Sequence, residues 1–228
     1  MFVIFFYETL VSVFRNTIVT NINQFIIIFV REDELLDLTD NEKTLYSNTV
    51  NSTCNLMDLN ELKKIVLQMK KAKFIDIYTS AGNLFFAENF KFQMAEIGIN
   101  INVPEEEYLQ HLTASTSDKT HLAIIISFGG RGRCLSSITR ILKETQTPIL
   151  LITSTEDNPL KKHAKCVLYM SSFENHFNKI SSFSTRLSLL YILDIIYTSY
   201  FKLDYEKNLK YKTDTYKRMQ KYPRDYKC

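Results

Sequence analysis

Residues 58–202 predict a doubly wound α/β domain: a five-stranded parallel sheet flanked by helices, with a short helical extension before it. Three observations predict it. Helical and strand patterns alternate from residue 58 onward, the signature of a parallel sheet with crossover helices. The strand candidate LAIIISF (122–128) is a continuous apolar run, as a strand buried on both faces is. Directly after it, in SFGGRG (127–132), come three of the chain's five glycines.

Taken in order, Asp58 followed by Glu61 has capping-box spacing, and LNELKKIVLQMKKA then repeats apolar residues at helical period. FIDIYT (74–79) reads as the first strand and NLFFAENFKFQMAEI as the helix behind it. ININ (99–102) reads as a short second strand, EEEYLQHL as a helix, and 122–128 as the central strand. CLSSITRILKETQ is the next helix, followed by PILLITS (148–154), a short helix around PLKKHA, and CVLYM (166–170). The connections are mostly short, as a doubly wound domain requires. The long apolar element SSFSTRLSLLYILDIIYTSYF has helical period and enough Leu and Ile to be buried against the sheet or a second subunit.

The polar stretch TDNEKTLYSNTVNST shows little periodicity and reads as a connector, which places a boundary near residue 45. The expected organisation is therefore an N-terminal segment and linker (1–45), the α/β domain (46–202) and a basic Lys/Tyr-rich tail (203–228) that forms a solvated, fraying helix. Internal repeats and low-complexity tracts are absent.

Composition narrows the function classes. The net charge is +3, but residues 201–228 carry nine Lys/Arg against four Asp/Glu, leaving 19 against 21 for the rest. The basic excess belongs to the tail, where it supplies at most salt-dependent, sequence-independent nucleic-acid affinity. The N-terminal run MFVIFFYETLVSVFRNTIVTNINQFIIIFV is interrupted by Glu8, Arg15, Asn16, Asn21, Asn23 and Gln24. It lacks the roughly 20 uninterrupted apolar residues of a spanning helix, so no membrane role is expected. Cys54, Cys134, Cys166 and Cys228 are widely spaced and form no CxxC pair. They read as reduced thiols of a cytoplasmic protein, with neither a disulfide framework nor a metal site expected.

In the doubly wound strand order 2-1-3-4-5, ligands bind outside the carboxyl ends of the first and third strands, where the sheet reverses. The loops so placed are TSAGN (79–83) and SFGGRG (127–132). Ser80, Asn83 and Ser127 offer hydroxyl and amide groups. Gly82, Gly129, Gly130 and Gly132 let backbone N–H groups approach an anion, and Arg131 offers a charged fork for phosphate oxygens. The alternative for the glycines is a tight turn without a ligand, and for Arg131 and Arg133 a solvated loop cation. Ser181 and Ser182, in KISSFSTR, are either helix caps or a polar wall over a bound sugar. Among the histidines none is paired with a nucleophile; Glu174 and His176 are the remaining acid/base candidates. GxSxG, Walker and HExxH motifs are absent.

With these loops and the serine-bearing helix, residues 58–202 resemble the SIS (sugar isomerase) domain of RpiR/MurR-type bacterial transcriptional regulators. The resemblance rests on KKAKFIDIYTSAGNLFFAENFKFQMAEIG, IIISFGGRGRCLSSITRILKETQTPILLITSTEDNPLKKHAKCVLYM and NKISSFSTRLSLLYILDIIYTSYF. It implies a flavodoxin-like strand order, a dimer or tetramer, and a bound sugar phosphate or amino-sugar phosphate. The family's second loop reads SxSGxT; here its second serine and its threonine have become Gly129 and Gly132, which leaves the site dependent on backbone N–H groups and Arg131. SIS isomerases place a glutamate on the helix beginning near residue 181, a place that falls near Thr185. A threonine cannot act as a general base as a carboxylate can, so the resemblance implies sensing rather than catalysis, with no catalytic residue and no cofactor. Regulators of this kind begin with a helix-turn-helix of about 75 residues. Only FRNTI (14–18) and QFIIIFVREDEL (24–35) resemble its recognition and closing helices, so DNA binding is expected to be weak or to pass through an incomplete N-terminal module. The competing expectation is a sugar-phosphate isomerase or lyase using Glu174 or His176 as proton shuttle.

Overall fold

The computed structural model describes residues 35–174 and 181–221. FRNTI, His176 and most of QFIIIFVREDEL therefore lie outside the described residues. The sheet is built from β1 (Phe74–Tyr78), β2 (His121–Ile126), β3 (Ile149–Ser154) and β4 (Cys166–Met170), all parallel and adjacent in that order. The seven helices described are α1 (Leu35–Asn55), α2 (Leu59–Lys71), α3 (Asn83–Ala95), α4 (Glu107–Thr116), α5 (Arg133–Glu144), α6 (Phe183–Leu203) and α7 (Tyr205–Lys221). The PLKKHA segment holds a single 3-10 turn, Lys161–His163.

The expected fifth strand is reduced to one parallel bridge between Asn102 and Asp76. Asn102 N–H donates to the Ile75 carbonyl at 2.9 Å and its own carbonyl accepts from Ile77 N–H at 2.8 Å. Two residues on, where the next ladder donor would stand, is Pro104, which has no N–H. The bridge lies outside β1, so the order 2-1-3-4-5 survives with four full strands.

Alternation along the strands divides the core between the two faces. Leu122, Ile124 and Ile126 of β2 face α2, α3 and α6 in the larger cluster, with Ile65, Phe90, Met94 and Ile192. Ala123 and Ile125 face α4 and α5, with Ala114, Ile138 and Leu142. Asp58 caps α2, its carboxylate accepting from Asn60 N–H at 2.7 Å and Glu61 N–H at 3.2 Å. The reciprocal half of the expected capping box is absent, because Glu61 turns to Lys64 and to Val167 N–H.

The expected connector is instead the body of α1, which runs through residue 45 without a break. Its inner face is Leu45, Thr49 and Thr53, spaced by four. Thr49 Oγ1 donates to Ser184 Oγ (3.0 Å) and Thr53 Oγ1 to Ser188 Oγ (2.8 Å) on α6. A buried face made of hydroxyls leaves no hydrophobic period to read. The tail is also more ordered than a fraying helix: on α7, Asn208 is buried, Tyr211 packs over Gly98, and Lys212 and Tyr216 both donate to Glu96.

Candidate functional site

Both expected loops stand at the carboxyl ends of adjacent strands, and the structure ties them together at the base. Thr79, fully buried after β1, donates its hydroxyl to the Ile126 carbonyl of β2 at 3.0 Å. From α4, Gln110 Nε2 donates to the Thr79 carbonyl at 2.8 Å, which fixes the start of the first loop from the other face. Ser80 and Gly82 are exposed, Asn83 is half-buried, and Ala81 takes a left-handed φ of 52° to turn the chain into α3.

The second loop is held by its own side chains. Ser127 N–H donates to the Ile152 carbonyl at 3.0 Å, and Ser127 Oγ accepts from Gly130 N–H at 3.1 Å. Its hydroxyl proton remains available to an incoming acceptor. Gly130 has φ 63°, and a Cβ built there would stand 1.8 Å from Asn158 Oδ1. Asn158 is almost fully buried; its Nδ2 donates to Thr153 Oγ1 (2.7 Å) and its Oδ1 accepts from Leu160 N–H (2.8 Å). Gly129 and Gly132 are under no such pressure: a Cβ at Gly132 would meet nothing within 4 Å. Arg131 and Arg133 are exposed, and no ion pair among the described residues holds either.

Helix α3 begins after Gly82 and α5 after Gly132, and neither N-cap residue supplies a side-chain hydrogen bond. Nor does either helix carry an acidic residue in its first turn. Two helix N-termini without internal anions therefore open at neighbouring strand ends, an arrangement suited to phosphate.

The start of α6 differs. Ser182 precedes the helix but makes no side-chain cap; its carbonyl accepts from Arg186 N–H and Nε. Ser181 and Ser182 follow β4, at the sheet edge opposite β1. The cap comes from Glu174, whose carboxylate accepts from Ser184 N–H (2.5 Å), Thr185 N–H (3.2 Å) and Thr185 Oγ1 (2.8 Å). A carboxylate holding three donors is committed as a cap rather than poised as a base. Beside it, burial pushes the Glu42 carboxyl up; Arg186 opposes that rise and Glu174 adds to it.

Sequence reasoning missed Thr79, Gln110 and Asn158, which fix the two loops from within. It also missed a second constellation: Glu107 and His111 of α4 meet Cys134, the second residue of α5. Burial and the Glu107 carboxylate push the Cys134 thiol up. An open cavity of about 590 Å³ lies elsewhere, between the end of α5 and His163. Burial, Lys162 and Lys143 push the His163 imidazole down. This cavity sits at the amino end of β3, away from both loops.

The SIS domain sequence model matches residues 68–198, more than half of the chain. The chain belongs to the SIS domain family. An uncharacterized HTH-type transcriptional regulator of Haemophilus influenzae is 24% identical over 165 residues, 72% of this chain and 57% of that protein. The chain thus spans little more than half the length of that relative. Among solved structures, the Vibrio vulnificus NanR protein complexed with ManNAc-6P superposes with a TM-score of 0.74 at 18% identity, covering 80% of this chain and 69% of that one. The sugar isomerase domain of an RpiR transcription factor from Sphaerobacter thermophilus gives 0.70 at 15% identity, covering 79% and 98%. These likenesses establish the SIS fold. Among the described residues no helix is long and apolar enough to cross a membrane.

Proposed function

We propose that this SIS domain senses a phosphorylated sugar or amino sugar on behalf of an RpiR/MurR-type transcriptional regulator of sugar catabolism. The observation that carries the reading is the pair of uncapped, acid-free N-termini of α3 and α5, placed side by side by the Thr79–Ile126 bond. The phosphate would accept from the backbone N–H groups of Gly82, Gly129 and Gly132, since Gly130 N–H already goes to Ser127 Oγ and Asn83 N–H to the Ser80 carbonyl, with Arg131 as its counter-charge and the side chains of Ser80, Asn83 and Ser127 as neutral partners. The NanR neighbour is itself complexed with ManNAc-6P, which makes N-acetylhexosamine 6-phosphates the first ligands to try. The protein acts as a cytoplasmic homo-oligomer, dimer or tetramer, and reaches DNA only weakly or through the segment before residue 45.

Calorimetry against hexose 6-phosphates and N-acetylhexosamine 6-phosphates, beside their unphosphorylated sugars, tests the reading. One phosphosugar binds and its unphosphorylated form does not. Arg131→Ala weakens that binding by about tenfold, the loss of one charge-assisted contact. A folded protein that binds none of the panel refutes the assignment.

The isomerase alternative would need Glu174, whose carboxylate lies 2.8 Å from the Thr185 hydroxyl, to leave its cap on α6 and act as the base. A coupled isomerase assay separates the readings: turnover that Glu174→Gln abolishes supports the enzyme, and binding without turnover supports the sensor.

A further inference from the structure

We propose that Glu107, His111 and Cys134 bind a divalent cation of the zinc class at the rim of the anion cradle. Glu107 and His111 are four residues apart on α4, so they share one helix face. Cys134 comes from the first turn of α5, two residues after Gly132. One donor atom from each residue lies within 4.8 Å of the other two. In a tetrahedral zinc site, with bonds of about 2.0–2.3 Å, donors stand roughly 3.5 Å apart. Glu107 is exposed and the other two are only half-buried, which leaves their side chains room to close that gap.

The imidazole is already set for coordination. His111 Nδ1 lies 2.8 Å from the Glu107 carbonyl oxygen. A carbonyl can only accept, so Nδ1 carries a proton, and in the neutral ring Nε2 then keeps its lone pair, the arrangement in which metal-bound histidines are held. A thiolate with an imidazole and a carboxylate selects zinc-like ions over magnesium or calcium, whose preference is for oxygen alone. Three protein donors leave a fourth position for water or a ligand oxygen. On binding, the Cys134 S–H bond gives way to a sulfur–metal bond and the proton leaves to solvent. The ion would pin α4 to the first turn of α5, next to Gln110, which already holds the first loop through Thr79.

The test uses the full, untagged chain, reduced and stripped of metal, with Co2+ and Zn2+ as probes and no sugar present, so its outcome is independent of phosphosugar binding. Wild type and a Cys54→Ser/Cys228→Ser control take up one Co2+ with a thiolate-to-cobalt charge-transfer band that Zn2+ abolishes. Cys134→Ser loses the band, and His111→Gln and Glu107→Gln each weaken Co2+ binding by at least about tenfold. In wild type, Zn2+ protects Cys134 from iodoacetamide, read by mass spectrometry, a measurement that needs no variant to fold. A Cys134→Ser protein that keeps the band, a wild type that takes up neither ion, or a Cys134 equally alkylated with and without Zn2+ overturns the proposal.

Discussion

Gly130→Ala tests the architecture of the second loop. The new methyl would sit 1.8 Å from Asn158 Oδ1 and 2.4 Å from its Cγ, at a backbone φ of 63°. Holding a non-glycine residue in the left-handed region costs about 1–2 kcal/mol. The clash also expels Asn158 from its bonds to Thr153 Oγ1 and the Leu160 N–H. At about 1 kcal/mol per bond, more if a buried donor is orphaned, the total reaches about 3–5 kcal/mol. In a domain of this size that lowers Tm by about 10 °C. Gly132→Ala, whose methyl meets nothing at a φ of −69°, loses only the preference for glycine over alanine at the helix N-cap, about 1 kcal/mol or less. Urea unfolding of both variants, repeated in an Asn158→Ala background, isolates the cause. Without the amide the clash disappears and Gly130→Ala retains only its backbone penalty, a coupling of about 2 kcal/mol. Equal costs at Gly130 and Gly132, or an unchanged Gly130 cost in the Asn158→Ala background, would refute the reasoning.

The other predictions concern groups that the ligand does not touch. Tyr78 is fully buried and its hydroxyl has no hydrogen-bond partner among the described residues, so Tyr78→Phe stabilises the fold by about 1 kcal/mol; a loss in urea unfolding would contradict this. Ser188 Oγ accepts from Ser171 N–H and pairs with Thr53 Oγ1, whose hydroxyl also reaches the Thr49 carbonyl, so Ser188→Ala orphans one buried donor and costs about 1–2 kcal/mol, whereas a neutral result would show that this contact is ornamental. Burial raises the Glu96 carboxyl, but the hydrogen bonds from Tyr216 and Lys212 outweigh it and hold the group below its ordinary value of 4.5. A depressed carboxylate stabilises the fold above its unfolded value and loses that contribution as pH falls through the folded one. The stability gap between wild type and Glu96→Gln is therefore open at neutral pH and closes in acid; a gap constant with pH would refute the assignment.

The sheet and its order were legible because β2 and β3 are unbroken apolar runs and glycines punctuate the turn after β2. What escaped did so for physical reasons. Helix α1 buries Thr49 and Thr53, whose burial is satisfied by hydroxyl pairing and leaves no apolar stripe. The second strand fails at Pro104 for want of one ladder donor, a detail of register rather than of composition. At the site, the loop residues could be read from glycine, but their supports could not. Gln110 and Asn158 reach the Thr79 and Ser127 carbonyls from 31 residues away, and such pairings have no local pattern. Glu107 and His111 do carry a readable i, i+4 spacing, yet Cys134 lies 23 positions beyond His111 in the chain.

The distribution of acidic groups over helix N-termini would give the proposed cradle its selectivity. Asp37, Glu61, Glu107 and Glu206 sit in the first turns of α1, α2, α4 and α7. Helix α6 lacks one of its own and borrows the Glu174 carboxylate. Each of these termini already has its positive end answered from within the chain. Among the described helices only α3 and α5 do not, and they are the two that begin after Gly82 and Gly132, beside the β1–β2 strand ends. On the proposed reading, an anion approaching this end of the sheet would be turned away from α6 by Glu174 and drawn to α3 and α5. Losing the hydroxyls at positions 129 and 132 removes donors from the rim while leaving this field in place. The contribution expected of side chains then falls on Arg131, the exposed cation within the second loop, which is why its truncation is the sharpest probe of phosphate recognition.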